Sequence, residues 1–91
     1  MVKGRHKSEH TRPNTLPGLR ALVDALGGQV RPGARIMGAS HSHLWKQLSG
    51  EKPPPTLDTL SLYAKRVHDE TGISLIFTVT PDMEFHFMVK S

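Results

Sequence analysis

The chain has 91 residues, a net charge of +4, 36% hydrophobic residues and no cysteine. That describes one small domain, able to bury only about 60% of its unfolded surface, and it excludes disulfides and thiolate metal sites. The longest apolar run, residues 73–79, is broken by Ser74 and Thr78, far short of the ~18 residues of a membrane span. The basic N-terminus has no apolar segment behind it, so no secretory signal is expected, and a reducing cytoplasm is the expected location. The charge is unevenly placed. Residues 1–52 carry nine Lys/Arg against Glu9, Asp24 and Glu51, a net of +6, whereas residues 53–91 carry three against five acids, a net of −2. Such asymmetry suits one surface for a polyanion and another for protein, or else a solvated basic tail.

Residues 1–14 lack apolar periodicity and read as a flexible basic arm. Its Lys3, Arg5, Lys7 and Arg12 either add phosphate contacts or enter a minor groove, or else have no role. A helical domain is expected over residues 15–72. Asn14 or Thr15 caps its first helix, with Pro17 in the opening turn. Leu16, Leu19, Leu22, Val23 and Leu26 form its apolar stripe, and Gly27-Gly28 ends it. Pro32 opens a second helix to about Met37, with Ala34 and Met37 inward and Arg31 and Arg35 outside that pair. Gly33 costs this helix up to about 1 kcal/mol and signals either close packing or simple tolerance.

Gly38 supplies a turn, and Ser40 caps a third helix that runs to about Ser49. Leu44 and Leu48 define its buried face. At roughly 100° per residue, Ser42, His43 and Lys46 lie opposite, while Trp45 and Gln47 flank the seam. Trp45 is expected to seal the domain; its other possible role is to touch a thymine methyl. The run Glu51-Lys52-Pro53-Pro54-Pro55 is a stiff extended link. Thr56 then caps a fourth helix, Asp58 complements its positive end, and Leu57, Leu60, Ala64 and Val67 face inward.

From residue 73 the period changes from helical to alternating. Leu75, Phe77 and Val79, then Phe85, Phe87 and Val89, occupy alternate positions around Pro81-Asp82, which predicts a β-hairpin over 73–91. Two strands alone are marginal in water, and Ile76 and Met88 add apolar groups to the other face. Either the chain's own helices or a second copy must cover the hairpin; pairing between subunits is the expected outcome, through Leu75, Phe77, Val79, Phe85, Phe87 and Val89. Truncation near Gly72 is then expected to leave folded, monomeric helices.

The residues Ala34, Met37, Gly38, Ala39 and Ser40, with Leu44, Gly50, Pro54, Thr56-Leu57-Asp58-Thr59-Leu60 and Ala64, resemble the lambda-repressor/Cro-like helix-turn-helix domain over about residues 16–68. The resemblance implies an α+β protein here: a bundle of four or five helices followed by the hairpin, its third helix reading bases in the major groove of double-stranded DNA. It implies base contacts from His41, Ser42 and Lys46, and phosphate contacts from Ser40 and Lys52. His43, Gln47, Arg31 and Arg35 complete the expected DNA-binding set. There are three departures from the family pattern. Gln47 stands where an apolar residue is expected, with Leu48 filling in; the proline link is one residue longer; and Val30-Arg31-Pro32 replaces a segment that often holds a backbone-touching Gln. With these departures the resemblance fixes the register of the reading helix to about one residue.

The expected function is a sequence-specific transcriptional regulator, a homodimeric repressor on a palindromic operator, similar to small phage or mobile-element regulators that dimerise through strands. The alternatives are an antitoxin that binds both DNA and a toxin, and a hairpin-mediated adaptor that never binds DNA. No metal or cofactor is expected. His41 and His43 diverge by about 200° on a helix, and His6 and His10, though four apart, sit in a segment without helical pattern. No nucleophile elbow, P-loop or acid pair suggests an enzyme.

Overall fold

A computed structural model describes residues 14–90. Among these residues four helices, α1 (Leu16–Ala25), α2 (Val30–Met37), α3 (His41–Ser49) and α4 (Leu57–Thr71), precede two antiparallel strands, β1 (Leu75–Val79) and β2 (Phe85–Val89). The α+β class follows the change of period in the sequence. The expected arm lies outside the described residues except for Asn14.

Each helix starts and stops for a local reason. In α1, Pro17 sits in the first turn, and the Asn14 Oδ1 accepts from the Leu16 N–H at 3.2 Å. Thr15 is spent elsewhere: its buried hydroxyl donates to the Pro55 carbonyl, which ties the start of α1 to the proline link. Helix α2 begins at Val30, two residues ahead of Pro32. Proline is tolerated there because the first N–H groups of a helix have no intrahelical acceptor. Gly38, at φ 74°, ends α2 in the left-handed region. In α4 the Thr56 Oγ1 accepts from the Thr59 N–H at 3.2 Å, with Asp58 in the first turn.

One core joins these elements. It is built from Leu19, Leu22 and Val23 of α1, Ala34 and Met37 of α2, Leu44 of α3, and Leu60, Tyr63 and Val67 of α4, with Phe85 of β2. Leu57, expected inward, is exposed at the first turn of α4. The two glycines inside helices differ. A Cβ on Gly33 would meet its nearest neighbours only at 3.9 Å, so that glycine reflects tolerance rather than close packing. A Cβ on Gly18 would lie 2.9 Å from both the Phe85 carbonyl oxygen and Leu60 Cδ2. Gly18 is thus where the backbone of β2 comes down onto α1.

The hairpin pairs Leu75 with Val89, Phe77 with Phe87 and Val79 with Phe85. Its turn closes by the Met83 N–H donating to the Thr80 carbonyl at 2.9 Å, which puts Pro81 at the first corner, where its fixed φ fits. Met83 follows at φ 64°, an uncommon backbone conformation for a side-chain-bearing residue. Asn14 runs parallel to the start of β2: its N–H donates to the Met83 carbonyl and its carbonyl accepts from the Phe85 N–H, both at 2.9 Å. Phe85, expected at a subunit contact, instead lies 6% exposed in the chain's own core. The reason is the docking of β2 on α1 at Gly18. Leu75 and Phe87 are half-buried against the same core, whereas Phe77, Val79 and Val89 are exposed.

Candidate nucleic-acid interface

The face in question is built from α2, its turn and α3. Four residues on from Leu44 and three on from it respectively, Leu48 and Gln47 flank the buried line of α3. The structure buries Gln47, 5% exposed, and leaves Leu48 half-buried. Gln47 therefore leaves the set of residues able to touch DNA. The cause is the proline link, which folds back along that side of α3. Pro55 is buried, and the Gln47 Nε2 donates to the Pro53 carbonyl at 3.1 Å. The Gln47 Oε1 is buried without a partner among the described residues. An unsatisfied buried carbonyl is costly, so Gln47→Leu is expected to stabilise the domain by about 1 kcal/mol. A melting experiment would show this as a rise of about 4–8 °C; a fall would mean that the bond to Pro53 outweighs the orphaned oxygen.

With Gln47 inside, the opposite side of α3 is open. Ser42, His43 and Lys46 are exposed, as are His41 in the first turn and Ser40 before it. The Ser40 Oγ accepts from the His43 N–H at 3.4 Å, a long bond but the expected cap. Neither α2 nor α3 has an acid in its first turn, so no carboxylate offsets the partial positive charge of those ends. Arg31 and Arg35, one turn apart on α2, are exposed and share a recess with Ala34, Ala39 and His41. The N–H groups of Glu51 and Lys52 both donate to the Lys46 carbonyl, at 2.9 and 3.2 Å, which fixes the exposed Lys52 to the end of α3.

Among the described residues the ion pairs are Lys65–Asp69 and His86–Glu84. None of Arg31, Arg35, Lys46 and Lys52 is neutralised by either pair. The fold therefore gathers eight of the nine expected residues on exposed positions of α2, the turn after it, α3 and the link, with no ion pair to their Lys and Arg side chains among the described residues.

Two side chains matter here in ways the periodicity does not signal. Arg66 of α4 reaches to the turn between α2 and α3, where its guanidinium stands 3.0 Å from the place a Cβ on Gly38 would occupy. Arg20 of α1 donates from Nη2 to the Leu48 carbonyl at 3.2 Å, bracing the C-terminal end of α3. Both are arginines on outward faces, and spacing alone gives no sign that they bridge elements. Trp45, expected to seal the domain, does not: it is 59% exposed.

No helix among the described residues is long and apolar enough to cross a membrane, and no group of three or more His, Cys, Asp or Glu among them could hold an ion. Comparison with protein-family models, with curated proteins and with solved structures found no match.

Proposed function

We infer that the protein is a sequence-specific DNA-binding regulator of the helix-turn-helix kind, acting as a homodimeric repressor. The observation that carries this reading is the sidedness of α3. Leu44 and Gln47 are buried behind it, while Ser42 and Lys46 stand exposed in front, with no acidic partner among the described residues. A lysine can donate to guanine, a serine to almost any base edge, and a histidine according to its tautomer. Arg31, Arg35 and Lys52 surround that helix with charges suited to phosphate. Two copies would place their reading helices about one helical turn of DNA apart, ~34 Å.

The hairpin supports the dimeric part of the reading. The outer edge of β1 has no strand partner among the described residues, whereas Asn14 closes the start of the β2 edge. Ile76, Phe77 and Val79 on β1 are exposed, and β1 carries no charged residue or proline to discourage pairing. The same surface would serve the antitoxin reading, in which a toxin covers it. Sedimentation of the purified chain separates them: a dimer by itself favours the repressor.

The test of DNA binding is selection of bound duplexes from a random pool, followed by titration of a labelled duplex. A two-fold site is expected, with affinity falling steeply as salt rises because Lys/Arg–phosphate contacts release counterions. Lys46→Ala is expected to weaken binding by ~1–3 kcal/mol and to relax preference at one base pair. No enrichment at low salt, together with no shift of random-sequence DNA, would sink the reading.

A further inference from the structure

Trp45 is the single tryptophan of the chain, and over half of it meets solvent. Isolated exposed apolar residues are ordinary; this one has a specific setting. It lies three and four residues beyond Ser42 and His41, so it shares a flank of α3 with them. Trp45 itself walls an open recess together with Arg20, Val23, Asp24, Val30 and Leu48, so one side of the residue borders that hollow and the rest meets solvent. Arg20 and Asp24 put opposite charges beside that recess, so it carries no net charge to draw a phosphate, and the exposed indole offers its partner an apolar face. The apolar group that a major groove displays is the thymine 5-methyl.

We propose that Trp45 is a specificity-determining residue of the reading helix, packing its indole on a thymine methyl. This rests on the DNA-binding reading above, and one set of measurements separates the two. The wild-type chain is titrated with the duplex it selects from a random pool, and binding is followed by anisotropy of the labelled duplex. Tryptophan emission and acrylamide quenching are recorded on the same samples. The proposal expects the emission to shift and the indole to become protected as the duplex binds. Replacing the contacted thymine by uracil removes the methyl and is expected to weaken binding about fourfold per buried methyl. Trp45→Ala is expected to lose about tenfold or more in affinity and to become insensitive to that replacement, with the helical circular dichroism retained because the side chain is outside the core. Duplex binding with unchanged emission and quenching overturns the role of Trp45 and leaves the DNA reading standing. Equal affinity for the thymine and uracil duplexes overturns the methyl contact. Absence of any duplex binding overturns both.

Discussion

Phe85→Ala is expected to destabilise the protein by about 3–5 kcal/mol, the cost of emptying an aromatic site in a core. The whole stability of a small domain is about 5–15 kcal/mol, so this variant stands near the limit of folding. Phe85 is almost fully enclosed, its ring 5.1 Å from that of Phe77 and its backbone bonded to Asn14. Urea denaturation followed by circular dichroism measures the loss. The paired control is Phe77→Ala, which removes an exposed ring and is expected to alter stability far less while weakening any dimer. The result also bears on truncation near Gly72. The helices would then lose Phe85 from their core together with half-buried Leu75 and Phe87. We expect the truncated chain to be largely unfolded rather than a folded monomer, which reverses what strand alternation alone suggests. A cooperative melt in the fragment would show that the helices hold without the hairpin.

Gly18→Val is expected to cost about 3 kcal/mol, the upper part of the usual range for overpacking. Alanine at that position would gain up to about 1 kcal/mol of helix propensity, yet its Cβ would already lie 2.9 Å from the Phe85 carbonyl oxygen. Leu60 Cδ2, the other close atom, belongs to a side chain and can turn aside; the strand backbone cannot move without lifting β2 from α1. Valine adds two methyl groups to the same gap. Thermal melting of the Ala and Val variants should give graded losses, whereas Gly33→Ala, with neighbours no nearer than 3.9 Å, should be neutral or stabilising. Equal behaviour at the two glycines would mean that the approach of β2 to α1 is not close.

The elements were legible because short-range signals mark them. Pro17, Ser40 and Thr56 open helices, Gly38, Gly50 and Gly72 end them, and alternation after residue 73 marks the strands. The exposed residues of the candidate site were legible for a related reason. Ser42 and Lys46 follow from Leu44 by the geometry of one helix, without reference to anything packed against it. Gln47 was misplaced for the complementary reason. It flanks the seam, and which flank is covered depends on where the proline link lies. That path is held by the bond to Pro53 and by Thr15 reaching Pro55 from the start of α1. Trp45, on the other flank, was expected to be covered and is open.

What the sequence determined alone is therefore local: where each helix lies to within two residues (α2 starts at Val30, not at Pro32), the hairpin and its turn at Pro81, and the outward line of Ser42 and Lys46 on α3. Each depends on backbone preference or on the period of a single element. The tertiary structure decided which half-apolar surfaces find a partner within the chain. It put β2 on α1 at Gly18, drew Phe85 into the core and buried Gln47 beneath the link. Those outcomes turn on contacts between elements, with Gly18 against Phe85 and Thr15 against Pro55 lying tens of positions apart, and a close-packed interior leaves little room for another fit.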